Sequence, residues 1–304
     1  MTVLSELVTT AHQRYKERIA TTRLVPIGGD FNECISARGP VLKGTFGCIT
    51  FCLDNEKIFG FANPNKEDSL YKQTKQVFCD FLALMQEKEM TYLWRVWNFI
   101  PEITKKENGV ERYHDFNKAR YNAFVEAGYS CESGASASTA VGSEANELSI
   151  FFLAGKTAPI NIENPRQVSA YEYPKIYGVV APVFSRASLI NTTNGQAFFI
   201  SGTASIVGAE TIGAGNITTQ VYETLLNIET LINEVNKVSA SVFDFNSFTY
   251  KVYLRNLTNF AAVKSILDTI LPQAEVVYAK ANICRKNLLV EIEATSTNIL
   301  TINK

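Results

Sequence analysis

This sequence predicts an α+β (α/β) fold in two domains, on three observations. Apolar residues in the second half switch between strand-like and helix-like spacing, so strands and helices follow one another along the chain. The pattern changes near residue 150, giving an N-terminal α/β domain, residues 1–150, and a second domain, residues 151–304. Hydrophobic residues make up 46% of the chain and charged ones 19%, enough apolar surface for a packed core. Such an order favours a mixed sheet with helices on one face.

In the first half, residues 6–20 are expected to form a helix. Glu6, His12, Arg14, Lys16, Glu17 and Arg18 rule out a signal-peptide core there. β-like runs follow at 41–53 and 58–61. A helix is expected over 71–88, where Val77, Phe78, Phe81, Leu82 and Met85 share one stripe. Residues 92–99 read as a strand ended by Pro101. A second helix spans 114–127, its apolar face marked by Phe116, Ala119, Ala123, Phe124 and Ala127. The small, polar run 134–143 reads as a loop leading into a strand at 148–154.

The second half is more regular. Residues 197–206 read as a strand and 217–237 as a long helix, with Val221, Leu225, Ile228, Ile232 and Val235 on its core side. A strand at 248–255 precedes a helix at 260–271, stopped by Pro272. Strands at 275–283 and 288–294 are separated by Cys284-Arg285-Lys286-Asn287.

Bulk properties narrow the function classes. A net charge of −1 and scattered basic residues leave no electrostatic footprint for nucleic acid or an anionic membrane. No apolar run approaches the roughly 20 residues that span a bilayer. Cys34, Cys48, Cys52, Cys79, Cys131 and Cys284 show no recurring spacing. Cys48 and Cys52 fit buried thiols on one strand face better than a zinc pair. With only His12 and His114 available, a histidine-rich metal centre is excluded. Reduced thiols fit the cytoplasm, the expected location.

Two segments carry candidate chemistry. The run from Glu163 to Pro174, continued by Tyr177 and by Phe184-Ser185-Arg186-Ala187, concentrates arginine, tyrosine and proline. A stiff loop of this kind presents cations and phenols to a small anion, since a guanidinium pairs with a carboxylate in a bidentate way. The alternative is a surface loop whose arginines pair with Glu163 and Glu172. In Leu289-Val290-Glu291-Ile292-Glu293, alternation puts both glutamates on one strand face, ordinarily a solvated one.

From Phe184 onward the chain resembles a RidA/YjgF-type domain. The carriers are Phe199-Ile200-Ser201-Gly202, the run from Thr219 to Ile228, Lys251-Val252-Tyr253-Leu254 and Val290-Glu291-Ile292-Glu293-Ala294. RidA proteins are less than half this length and lack the arginine-tyrosine loop. From Tyr92 to Ala294 the chain resembles the chorismatase family. Here the carriers are Trp94-Arg95-Val96-Trp97-Asn98-Phe99, Glu111-Arg112-Tyr113 with Phe116-Asn117, the Glu163 to Pro174 run, and the run from Ser201 to Gly208.

The resemblance implies cleavage of chorismate with pyruvate release, without cofactor or metal, in a RidA-like C-terminal domain. It implies that Glu291 points into the ligand cleft as general acid, protonating the enolpyruvyl methylene, while Glu293 is structural. Arg120, Arg166 and Arg186 are expected at the substrate carboxylates, with Tyr171, Tyr173 and Tyr177 as donors or walls. Arg95 is expected to be a buried structural cation, and Arg285 to be exposed in its turn. Ala204 and Cys284 are expected to set the product; alternatively Cys284 is a small buried hydrophobe. Cys284 points to 3-hydroxybenzoate, with or without 4-hydroxybenzoate, and Ala204 to a hydrolytic member giving a trans-dihydroxycyclohexadiene carboxylate. Ala209 stands where many members are expected to have histidine.

Rival readings are a non-catalytic RidA-like binding protein and RidA-like imine deamination. The latter wants an arginine on the strand at 275–280, which has none. A nucleotide enzyme is excluded by the missing Lys-Ser/Thr after Gly208. The expected assembly is a monomer or a RidA-like trimer, with no nucleic-acid or membrane partner.

Overall fold

The computed structural model describes residues 2–9, 18–22, 24–29, 32–37, 40–129, 135–193 and 195–296. Two large sheets dominate the described residues. The first has six strands, in the order Ala137–Ser143, Tyr92–Pro101, Ser149–Gly155, Lys57–Ala62, Ile49–Leu53 and Leu42–Phe46. The second has seven, in the order Ile160–Ile162, Ala187–Thr192, Gly195–Thr203, Val290–Ser296, Phe248–Leu254, Glu275–Lys280 and Val25–Gly28. Most neighbours are antiparallel. Ala137–Ser143 runs parallel to Tyr92–Pro101, and Phe248–Leu254 parallel to Glu275–Lys280.

The helices lie on the outer faces of these sheets. Helices α1 (Leu70–Glu87) and α2 (Arg112–Glu126) cover the first sheet. Val77, Phe78, Phe81, Leu82 and Met85 of α1 join Val96, Ile100, Ile150 and Phe152 in one core. Helices α3 (Ile217–Val235) and α4 (Phe260–Ile270) cover the second sheet. Val221, Leu225, Ile228, Ile232 and Val235 meet Tyr250, Val252, Val290 and Ile292 there. A third core joins the two sheets face to face, through Trp97, Phe99, Phe151 and Leu153 against Ile190, Phe199 and Tyr253. The result is four layers, helix–sheet–sheet–helix, in keeping with the mixed sheet and one-sided helices that were expected.

Three elements differ from the sequence reading. Thr2–Thr9 is a strand, paired antiparallel with Arg18–Thr22 and parallel with Asn32–Ala37, where a helix over 6–20 was expected. Its threonines and valines favour extended backbone, and residues 10–17, which held most of the charge pattern, lie outside the described residues. The run read as a loop at 134–143 contains the buried strand Ala137–Ser143. Its small side chains let the backbone approach the second sheet: Ala137 N donates to Ser188 Oγ at 2.9 Å and Ser138 N to Ser201 Oγ at 2.8 Å. A methyl on Gly142 would lie 2.8 Å from Asn282 Cβ. Finally, the strand expected at 275–283 ends at Lys280 and the last strand starts at Val290 rather than 288, which leaves a loop at 281–289. Among the described residues, no helix is long and apolar enough to cross a membrane.

Candidate active site

Alternation along Val290–Ser296 sends Val290, Ile292 and Ala294 into the core under α3 and α4, so Glu291 and Glu293 face the first sheet. That sheet replaces the water such a face would ordinarily meet. Glu291 is 4% exposed and lines a cavity of about 410 Å³, within the usual size range of small-molecule sites. It packs over Gly202, where a methyl group would sit 2.0 Å from Oε1. Burial, reinforced by the charge of Glu293 and opposed by Arg95, pushes Glu291 up to about 8. It therefore holds its proton at neutral pH.

Glu293 goes the other way. Its Oε2 lies 2.9 Å from Arg95 Nη2 and its Oε1 2.8 Å from Lys251 Nζ. Trp97 Nε1 donates to Oε1 at 3.0 Å. Burial alone would raise its pKa, but Lys251 and Arg95 outweigh burial and hold the carboxyl at about 2.

Two guanidinium groups line the cavity with Glu291. Arg186 donates from Nη2 to Val168 O at 2.7 Å and to Tyr173 OH at 2.8 Å. Its guanidinium rests against Phe184 and Tyr173, 5.2 and 5.4 Å from the ring centres, and its Nε is buried with no hydrogen-bond partner. Arg285 stacks on Tyr177, 3.8 Å from the ring centre, and donates from Nη1 to Ala209 O at 2.7 Å. Its Nη2 is likewise buried and unpartnered. Buried N–H groups without acceptors are costly unless a ligand supplies them.

Arg255 fixes the loop that carries Arg285. It donates to Leu288 O at 2.7 Å, Ile283 O at 2.8 Å, Arg285 O at 2.8 Å and Asn282 Oδ1 at 2.9 Å. Tyr177, stacked on Arg285, donates from its OH to Glu210 Oε1 at 2.9 Å. Among the described residues, no group of three or more His, Cys, Asp or Glu side chains is placed to hold a metal.

Residues 33–154 match the family profile described as "Chorismatase FkbO/Hyg5-like, N-terminal". A 3-hydroxybenzoate synthase of Streptomyces hygroscopicus is 33% identical over 256 residues, covering 81% of this chain and 75% of that protein. This chain belongs to the chorismatase family. A chorismatase of the same organism is 30% identical over 270 residues, 86% of this chain and 78% of its own. A chorismatase crystal structure superposes with a TM-score of 0.81 at 25% identity, covering 97% of this chain and 93% of that one.

Of the site residues expected from sequence, Glu291, Arg186, Tyr173, Tyr177, Ala204 and Cys284 line this chorismatase-family cavity together. Tyr171, Arg166 and Arg120 do not line it. Tyr171 lies in the short 3-10 turn Ala170–Glu172. Arg166 turns to α3, where it pairs with Glu223 and Asn227. These partners are not the Glu163 and Glu172 of the surface-loop alternative, and they hold Arg166 against α3. Arg120 is buried behind the wall, 5.3 Å from the Phe116 ring centre and bonded to Asn117 Oδ1 at 3.1 Å. Burial raises the Tyr113 phenol, and the charge of Arg120 opposes that rise.

Arg285 was expected to be exposed and is instead part of the wall. Its position beside Cys284 was the available signal. Tyr113, His114 and Gln167 also line the cavity without having been singled out. Cys284 is pushed up to about 12, by burial first and the Glu291 charge second, which favours the neutral thiol. Arg95 is the buried structural cation that was expected. Ala209 contributes a backbone carbonyl.

Proposed function

We propose that this protein cleaves chorismate with release of pyruvate, giving 3-hydroxybenzoate with or without 4-hydroxybenzoate. The observation that carries the reading is a buried, proton-bearing Glu291 in one cavity with two guanidinium groups that have unpartnered N–H. Chorismate has two carboxylates and one enol ether, so its charged ends suit Arg186 and Arg285 while its vinyl carbon meets the acid. Proton transfer from Glu291 to the methylene carbon converts the enol ether into an oxocarbenium ion. The neighbouring ring hydroxyl gives its proton back to Glu291 and bonds through its oxygen to the ether-bearing carbon as that C–O bond breaks, so the three-carbon fragment leaves as pyruvate. The three-membered ring ether then opens as a ring hydrogen leaves as a proton and the oxygen takes one up, giving 3-hydroxybenzoate or 4-hydroxybenzoate according to which C–O bond breaks. General acid catalysis of this kind contributes about 10²–10⁴-fold.

The two ring products differ by one water. Hydroxybenzoate plus pyruvate account for every atom of chorismate, whereas the dihydroxycyclohexadiene product requires one added water. The name of the 33% identical relative supports the first route. Ala204 in the wall favours the second, hydrolytic route. A cavity serving only for binding would release no pyruvate at all.

The test is incubation with chorismate, reading pyruvate through lactate dehydrogenase and the ring product by chromatography. Pyruvate with 3-hydroxybenzoate is expected, and Glu291→Gln should lose at least about 100-fold in rate while keeping its fold. Absence of pyruvate, or full activity in the variant, would overturn the reading.

A further inference from the structure

Glu293 shares the inter-sheet face with Glu291, two residues along the strand Val290–Ser296. Two cations meet it, Arg95 at 2.9 Å and Lys251 at 2.8 Å. Both also stack on the Trp97 ring, at 5.0 and 5.2 Å from its centre. The cluster is thus two cations on one carboxylate, with Arg95 at 0% and Glu293 at 1% exposure. Its compensation is incomplete, because Arg95 Nε and Nη1 are buried without a hydrogen-bond partner. A buried cation that loses its counter-ion favours the charged form of any other carboxyl in reach. Arg95 already acts on Glu291 in that sense.

We propose that Glu293 is a positioning residue for the acid. By holding Arg95 and Lys251 as its own partners, it keeps their charge from stripping the proton off Glu291. The inference rests on Glu291 being the acid, as proposed above, and concerns only the charges behind it. The other groups facing Glu291 come from five places, one of them the segment that carries Tyr173 and Tyr177. The loop 281–289 supplies Cys284, Arg285 and Lys286, and the start of α2 supplies Tyr113 and His114, with Glu111 just before it. Arg186 and Glu210 stand on the remaining wall, and Tyr253 is the strand partner of Glu291. Burial keeps Cys284 and Tyr113 neutral. Arg186 and Arg285 face the cavity, where a dianionic substrate offsets them. Arg95 and Lys251 have no such visitor, and their balance falls to Glu293.

The experiment uses the full chain with Glu293→Gln, Lys251→Met and the pair combined. One readout needs no turnover: the pH dependence of the gap in unfolding midpoint between each protein and its Glu291→Gln derivative, which reports the proton held at 291. The pH at which that proton leaves is expected to fall by about one unit or more in Glu293→Gln. It should rise in Lys251→Met and return towards the parent in the pair. With chorismate, the alkaline limb of kcat/KM should move in the same directions.

A merely structural Glu293 would lower the rate at every pH and leave the limb in place, which would overturn the proposal. Should Glu293→Gln not fold, Lys251→Met alone decides, since an unmoved or acid-shifted proton contradicts it. If the proton at 291 moves as expected and pyruvate release does not follow it, the positioning role stands and the acid assignment fails.

Discussion

Glu291 and Glu293 have the same side chain, the same strand and nearly complete burial, yet they hold opposite charge states. The difference lies in partners: Glu293 has Arg95 and Lys251 within 3 Å, and Glu291 has a glycine and a cavity. That difference has a sign in stability. Unfolded glutamate titrates near about 4.3, so between there and about 8 the folded chain holds a proton at Glu291 that the unfolded chain has released. Stability therefore falls as pH rises through this window, by up to about 1.4 kcal/mol per unit, and levels off above it. Glu291→Gln removes the term. Denaturant unfolding should show the variant gaining on the parent from pH 5 to pH 8, and a constant gap would contradict the buried proton. Glu293 contributes the reverse, stability that is present above the unfolded value and lost as pH falls towards about 2. Gly202 makes the arrangement possible. Gly202→Ala puts a methyl 2.0 Å from Oε1 and must displace the acid, so kcat/KM should drop by about 100-fold with little change in melting temperature.

Among the elements, the loop 281–289 ties the strand of Glu291 to the wall that carries Arg285. Arg255 makes four hydrogen bonds to it, three of them to backbone carbonyls, and so fixes where Arg285 can stand. Arg255→Met should raise KM by about tenfold or more while changing kcat less, with a stability loss of about 3 kcal/mol. An unchanged KM would show that Tyr173, Tyr177 and the Ala209 carbonyl hold Arg285 without help from Arg255. This loop also marks where sequence reading ran out. A turn arginine reads as solvated, and Arg285 is drawn in by the rings of Tyr173 and Tyr177, which lie about a hundred residues earlier. The strand Ala137–Ser143 was illegible for a related reason. Its alanines, serines and glycine carry no strand pattern, and their smallness serves the close approach of the second sheet. Helices α1 to α4 were legible because each carries an apolar stripe that its sheet buries.

At the scale of the whole molecule, the two halves meet through a buried core and a buried charge. Trp97, Phe99, Phe151 and Leu153 from the first sheet cover the glutamate face of the second, and Arg95 crosses to Glu293. The sequence alternation of Glu291 and Glu293 was read correctly, but only the facing sheet explains why neither meets water. A division near residue 150 is thus proposed as a boundary of pattern, with folding shared across it. Residues 156–304 expressed alone should unfold without a cooperative transition, since removing the first sheet exposes the apolar face of Ile190, Phe199 and Tyr253 that it covers. A sharp, two-state melt of that fragment would refute the shared core. The fold brings the halves together so that one carboxyl, sealed between sheets, can keep a proton beside a substrate-sized cavity. The most direct test is kcat/KM for pyruvate release from chorismate between about pH 6 and 10. The expected profile is level up to about 8 and then falls tenfold per pH unit as Glu291 loses its proton. A rate that stays flat or rises through that range would contradict the account.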